Sequence, residues 1–375
     1  MTPTRTAPLS ALRPAADLFG DVVTAYVDVS RDNENAGHEI EVRAENLRRE
    51  LLEAGAEEAL VDSVSARMLT PTGHGGETSR AVVARGDEVV TDVLLAGAVP
   101  SRQHHGPIAH LHELARALAD DVRYAVVRVD HTGADITIAG TTGHGEREMV
   151  SEGDHDVLHK FRGGGWAHRR FQMRVEDSIE RNVETVASDL DTLVSQERID
   201  LVLVTGEPKS CTLLQESAGG EVAERLEVLD HGGRAEGASD ERLDEDVAAA
   251  LQRCRSARLD AVLERLGGGA KAVGVAETVE ALRRGEVETL VLLQGALDDR
   301  EAYVGPEPLL LGHAREELEA FGVDAPGRTR LDEAMVRAAI GQDAGLLPLY
   351  APVGLLPDGV GAVLRFDTRP VPGSA

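Results

Sequence analysis

Residues 157–174, VLHKFRGGGWAHRRFQMR, hold five Lys or Arg, two His and no Asp or Glu. The whole chain carries 39 Lys plus Arg against 66 Asp plus Glu, a net charge of −27, and without this island the remainder stands at −32. That balance excludes a protein whose entire surface grips nucleic acid through basic charge. A short cationic segment in so acidic a chain is instead a local lure for phosphate. Lys160, Arg162, Arg169, Arg170 and Arg174 supply the charge, and His168 adds a further polar ring. Gly163, Gly164 and Gly165 let the backbone approach a partner closely. Trp166, the only tryptophan in the chain, can stack on a base or wedge against RNA. The ordinary alternative is a solvent-exposed loop whose Trp166 folds back onto its own helix. The triple glycine lacks the Lys-Ser/Thr of a phosphate-binding loop and the spaced glycines of a dinucleotide turn.

Other chemistry-bearing residues are weaker candidates. His104, His105, His110 and His112 cluster in RQHHGPIAHLHEL, but ligands two apart on a helix diverge. The expectation is a polar loop and helix face, with no metal. Asp28, Asp32 and Glu34 follow a strand and read as turn and capping carboxylates. Ser210-Cys211 has no neighbouring group to activate a nucleophile, so Cys211 reads as a small buried apolar residue. The two cysteines, Cys211 and Cys254, form no paired ligand motif and fit a reducing compartment. No basic segment followed by an apolar core opens the chain, and no run approaches the roughly 20 apolar residues of a membrane span. The expected location is the cytoplasm.

The elements that must position the island are readable from periodicity. Val22–Val29 alternates as a strand, helices follow over His38–Leu52 and from about Glu57, and Arg80–Ala84 and Val89–Leu95 form a hairpin about Gly86-Asp87. Val99–Pro107 reads as a connection to a helix near Ile108–Leu118. Tyr124–Val129 and Asp135–Ala139 flank the turn Asp130–Gly133. Phe171, Val175, Ile179, Val183, Val186, Leu190 and Val194 recur at helical spacing, which places a long amphipathic helix directly after the island. Ile199–Thr205 is a buried strand broken by Gly206-Glu207-Pro208. A short helix at Gly220–Arg225, a strand at Leu226–Leu229 and a loop at His231–Ser239 come next. The acidic run Asp240–Asp246 begins another helix, as solvated carboxylates at its N-terminus. Gly267–Gly269 reads as a linker, followed by a strand at Ala272–Val275, a helix at Glu277–Arg284 stopped by Gly285, and a strand at Thr289–Leu293. A length of 375 residues suits two or three domains. The expected architecture is three α/β domains: 1–120, 121–267 carrying the glycine loop and long helix, and 268–375.

The run GGWAHRRFQMRVEDSIERNVETVA (Gly164–Ala187) resembles the tip of the central domain of archaeo-eukaryotic peptide-release factors, where a Gly-Gly-Gln loop feeds a basic helix with an Arg-Phe pair, here Arg170-Phe171. Upstream, VLHKF (Val157–Phe161) is similar to that family's approach to the loop. Downstream, LVLVTGEPKSCTLLQE resembles its central strand and helix. AVGVAETVEALRRGEVETLVLL (Ala272–Leu293) and GVGAVLRF (Gly359–Phe366) resemble its C-terminal domain. The resemblance covers about residues 121–375 and implies a bacterial relative of the release factor and Pelota family. It implies an RNase H-like central domain and a C-terminal domain like the family's third. No stop-codon-reading motif is recognisable in the N-terminal domain.

In the hydrolytic members the loop Gln helps place water against the peptidyl-tRNA ester and stabilise the developing oxyanion. This chain has Trp166 there, a bulky ring with one donor and no acceptor. Gln172 comes too late in sequence to replace the missing amide simply. The resemblance therefore implies a non-enzymatic translation factor that occupies the ribosomal A site, of the hibernation or stress type. Lys160, Arg162, Gly163–Trp166, His168, Arg169, Arg170 and Arg174 would lie against tRNA or large-subunit RNA. It implies no cofactor, no metal, no catalytic residue, no DNA and no membrane, with an elongation-factor GTPase as a further candidate partner. The alternatives are a peptidyl-tRNA hydrolase or rescue release factor using the loop despite its Trp, and an unrelated stress protein whose basic loop binds another acidic partner.

Overall fold

The computed structural model describes residues 9–72, 77–97, 99–140, 147–152, 166–233 and 240–366. The chain packs as two compact units, one formed by 122–257 and the other by 5–121 together with 258–375.

In the second unit the chain opens with a 3-10 turn, Leu9–Leu12, and α1 (Arg13–Ala16), then β1 (Val22–Asp28), α2 (Ala36–Glu53), α3 (Glu58–Leu69), β2 (Thr78–Arg85), β3 (Glu88–Ala96), β4 (Arg102–Gly106) and α4 (His112–Asp120). The sheet order is β3-β2-β1-β4, antiparallel throughout. Alternation along β1 sends Val23, Ala25 and Val27 into a core with α2 and α3, through Ile40, Leu47 and Leu60. Val22 and Tyr26 enter the opposite core. This is the two-faced use of a period-2 strand. The segment 99–107, expected as a connection, contains β4, which pairs along the edge of β1 with Thr24 opposite His104. Its sequence RQHHG carries no apolar alternation because none of its side chains is fully buried.

The first unit holds β5 (Arg123–Val129), β6 (Gly133–Gly140), β7 (Arg147–Glu152), α5 (Trp166–Gln196), β8 (Leu201–Gly206), α6 (Pro208–Ser217), α7 (Gly220–Ala223), β9 (Leu226–Val228) and the start of α8 (Asp240–Gly268). Its sheet runs β7-β6-β5-β8-β9, with β5, β6 and β7 antiparallel and β5, β8 and β9 parallel. An antiparallel meander continued by two parallel strands is the RNase H-like arrangement. The turn after β5 is held by Asp130, whose Oδ1 accepts from the backbone N–H of Thr132 at 2.7 Å and of Gly133 at 3.2 Å. Val183, Val186, Leu190 and Val194 of α5 pack on Val127, Ile136 and Val202, as their spacing requires. The other face of the sheet is covered by Leu243 and Ala250 of α8.

The chain passes from one unit to the other within α8. The helix runs through Gly268, and Gly269 N–H still donates to Arg265 O at 2.7 Å. The triple glycine is thus the end of a helix, not the linker expected. The second unit resumes with β10 (Lys271–Val273), α9 (Val275–Arg283), β11 (Val287–Leu293), β12 (Glu301–Val304), β13 (Leu311–Gly312), α10 (Arg315–Ala320), β14 (Gly327–Arg330), α11 (Leu331–Gly341), β15 (Gly345–Leu349) and β16 (Val360–Leu364). One sheet is β10-β16-β11-β15 and a smaller one β13-β12-β14. The strand–helix–strand start is real, but β16 inserts antiparallel between β10 and β11. Gly285, at φ 71°, ends the helical segment after α9 in the left-handed region.

The N- and C-terminal segments share one core, in which Leu12, Tyr26, Ile108 and Leu114 meet Leu331, Met335 and Leu346. Arg337, 1% exposed, crosses between them. Its Nε donates to Ala16 O at 2.7 Å, Nη1 to Gly305 O at 2.9 Å and Nη2 to Pro306 O at 2.7 Å. Among the described residues no helix is long and apolar enough to cross a membrane.

Candidate functional site

The described part of the basic island, 166–174, opens α5. Trp166 is the first residue of that helix, and His168, Arg169, Arg170 and Arg174 follow within its opening turns. At 100° per residue, Trp166, Arg170 and Arg174 share one helical stripe and Arg169 stands beside it. Lys160, Arg162, Gly163, Gly164 and Gly165 lie outside the described residues. Ile179 is the first described side chain of α5 that packs against the core, and from Trp166 to that point the helix rises about 20 Å. Trp166 therefore opens a helix whose described contacts with the core begin at Ile179.

The four-histidine segment is resolved into three environments. His105, on β4, stands between the Ala54 carbonyl, 3.0 Å from Nδ1, and the Asp21 carboxylate at Nε2. His104 and His110 stack with ring centroids 3.3 Å apart and 10° between planes. Burial pushes the His104 ring down to about 4 and the His110 ring down to about 2, with neighbouring positive charge adding to both, so the pair is neutral. His110 is fixed by its backbone N–H to Thr24 Oγ1 at 3.0 Å and by Nε2 beside Thr329 Oγ1 at 3.2 Å. Tyr26 Oη donates to the His110 carbonyl at 2.8 Å.

His112 belongs to neither pair. It opens α4, and its Nδ1 lies 3.0 Å from Asp332 Oδ2. Its backbone N–H donates to Glu333 Oε2 at 2.9 Å, so a carboxylate from α11 caps α4 where the helix dipole favours an anion. Arg330 Nε donates to Asp332 Oδ1 at 3.0 Å, a second guanidinium N–H reaches Asp332 Oδ2, and Nη2 also reaches Asp298 Oδ1 at 2.8 Å. Burial raises Asp332, but hydrogen bonds from His112 and Arg330 outweigh it and hold the carboxyl below its usual range. Glu333 is pushed up, first by burial and then by the Asp332 charge. A cavity of about 390 Å³ adjoins the cluster, lined by Thr24, Arg102, His104, His110, His112 and Glu333 among others. His112, Asp332 and Glu333 are all buried, and the donor atoms they offer lie within 4.8 Å of one another.

The sequence did not point to Asp332, Glu333 or Arg330. In GRTRLDEAMV the two acids look like ordinary first-turn carboxylates. The signal was the apolar run that follows them, since α11 is buried from Leu331 through Ile340 and acids in such a helix need partners. The remaining candidates take the expected roles. Asp28 Oδ1 accepts from Ser30 N–H at 3.0 Å, a turn contact. Cys211 is buried, and burial pushes its thiol up, away from nucleophile behaviour. Asp246, in the acidic opening of α8, accepts from the backbone N–H of His231 at 3.2 Å.

A mixed sheet of order β7-β6-β5-β8-β9 backed by a long helix whose first turns carry basic residues defines the class: an α/β protein. Residues 123–271 match the model of bacterial archaeo-eukaryotic release factor family 2. It is similar to the uncharacterized protein Rv2629 of Mycobacterium tuberculosis, 29% identical over 361 residues, covering 92% of this chain and 94% of that one. Among solved structures, Archaeoglobus fulgidus Pelota is 15% identical, covering 96% of this chain and 92% of its own, with a TM-score of 0.31. The archaeal translation termination factor aRF1 is 14% identical, covering 95% and 96%, with a TM-score of 0.23.

Proposed function

We propose that the protein is a ribosome-binding translation factor that occupies the A site without hydrolysing peptidyl-tRNA, in the manner of a hibernation or stress factor. The observation that carries the reading is the position of Trp166. It stands at the head of α5, inside the segment 123–271 that the release-factor model matches, where the resemblance puts a catalytic Gln. An indole N–H can donate but cannot accept, so it cannot hold a water by both ends as an amide does. Lys160, Arg162, Arg169, Arg170 and Arg174 meet tRNA or large-subunit phosphates, His168 adds a polar contact, and Gly163–Gly165 permit close backbone approach. The acidic remainder limits non-specific RNA binding and leaves the island to set orientation. In functional terms 121–267 is the part that carries the tip. The segments 1–120 and 268–375 flank it, the latter docking to ribosomal protein or an elongation-factor GTPase. The family match supports this assignment, and so does the sign contrast between island and body.

The test is co-sedimentation with ribosomes combined with a peptidyl-tRNA release assay. Reversing Arg169 and Arg170 to Glu should weaken association and lower the dependence of log K on log salt by about 2, one for each lost phosphate contact. Wild-type protein should release no peptide. Unchanged association in the double reversal refutes the contact surface. Release that disappears in Trp166→Ala supports the hydrolase reading instead.

A further inference from the structure

We propose that His112, Asp332 and Glu333 form a binding site for one divalent transition-metal cation, with His110 as a fourth donor, joining the N- and C-terminal segments of the second unit. Two donors on one such ion stand about 3 to 4 Å apart, given metal–N and metal–O lengths near 2.1 Å. His112 Nδ1 and Asp332 Oδ2 are already 3.0 Å apart. Glu333 completes a trio whose donor atoms all lie within 4.8 Å, so closing on an ion needs movement of about 1 Å or less. Glu333 uses Oε2 to accept the His112 N–H, while its Oε1 stands 3.8 Å from His110 Nδ1.

The outer contacts are those that metal ligands need for fixed orientation. Thr329 Oγ1 lies 3.2 Å from His110 Nε2, leaving Nδ1 on the carboxylate side. Asp332 Oδ1 is held by Arg330 Nε at 3.0 Å and Glu333 N–H at 2.9 Å, while Oδ2 faces the imidazole and also accepts from Arg330 Nη2. Two buried carboxylates, Asp332 and Glu333, stand beside the Arg330 guanidinium and the His112 imidazole, and a bound cation would displace the proton that such a cluster holds. The cavity of about 390 Å³ beside His110, His112 and Glu333 supplies an entry path and room for water ligands. Imidazole plus carboxylate selects Zn²⁺, Mn²⁺ or Fe²⁺ over Mg²⁺ and Ca²⁺. The ligands come from positions 220 residues apart, so an ion held there binds the folded unit and stabilises it by mass action.

The experiment uses the full chain, purified without a polyhistidine tag and dialysed against chelator. Metal content is measured before and after addition of Zn²⁺ or Mn²⁺, and Co²⁺ is titrated for its visible d–d absorption. The expected result is uptake of one ion per chain, with a rise in Tm of the second unit that EDTA reverses. Asp332→Asn and His112→Gln should lower affinity at least tenfold while leaving the central unit's circular dichroism and unfolding unchanged. No uptake by the wild type at micromolar Zn²⁺, Mn²⁺ or Co²⁺ overturns the proposal, whatever the variants do. So does equal uptake in Asp332→Asn, which would mark adventitious binding at surface histidines. Either result leaves the trio as a hydrogen-bonded ion cluster and does not touch the proposed ribosome contacts, which reside on α5.

Discussion

Replacing Arg337 with Met should loosen the union of the N- and C-terminal segments. The guanidinium is buried, and its direct hydrogen-bond partners are backbone carbonyls, three of them at 2.7 to 2.9 Å: Ala16 O, Gly305 O and Pro306 O. Leu18 O and Glu307 O stand farther off at 3.4 Å each. Burial pushes the group down to about 10, partly opposed by Asp17, so it remains charged at neutral pH. Methionine keeps much of the aliphatic volume and removes every donor. Each buried carbonyl left without a partner costs about 1–3 kcal/mol. Part of that is offset because a charge no longer has to be desolvated. A net loss of about 3–5 kcal/mol is expected, the size seen when a buried charged network loses one member. Arg337→Lys keeps the charge but not the planar fork and should fall between Met and wild type. Urea unfolding combined with hydrogen-exchange mass spectrometry reads the effect. Protection should fall in 13–19 and 331–341 while the β5–β8 pairing keeps its protection. A Met variant within about 1 kcal/mol of wild type would falsify the staple.

Gly206 closes β8 at φ 134°, and a Cβ there would stand 1.9 Å from Val129 O. Gly206→Ala should therefore destabilise the central unit by about 3 kcal/mol or more and spare the other, the reverse of Arg337→Met, by the same exchange measurement. His105 gives the pH dependence. Burial pulls its pKa down, but the Asp21 carboxylate and the Ala54 carbonyl outweigh this and raise it above 6.5. A raised histidine contributes its stability in full below the unfolded value and loses it as pH climbs through the folded one. The Tm gap between wild type and His105→Gln should thus be widest near pH 6 and shrink by pH 8. A gap that widens on that path contradicts the assignment.

What could be read from sequence and what could not divides by the range of the interaction. Val183, Val186, Leu190 and Val194 announce α5 because the helix repeat and the buried face are one local fact. Asp130–Gly133 announces its turn because the Asp130 carboxylate satisfies backbone N–H groups two and three residues away. β4 left no such trace: RQHHG is held by ladder bonds to β1, and a strand with no fully buried side chain needs no alternation. The linker expected at Gly267–Gly269 fails for a related reason. Val262 and Leu266 anchor the preceding turns in a core with Val291 and Val363, and that packing carries the helix past residues of poor propensity. Most opaque is the junction at His112, Asp332 and Arg337, where the bonds that join the two segments span 220 to 321 positions. A periodicity argument sees an imidazole, a helix-start acid and a mid-helix base as three ordinary surface residues. Only the union of two segments shows that each has left water and found its partner across the same core. The basic island was legible for the opposite reason: a break in the sign of charge needs no partner to be seen. That is why the sequence could nominate the tip of α5, while the means by which the two flanking segments hold together had to come from the fold.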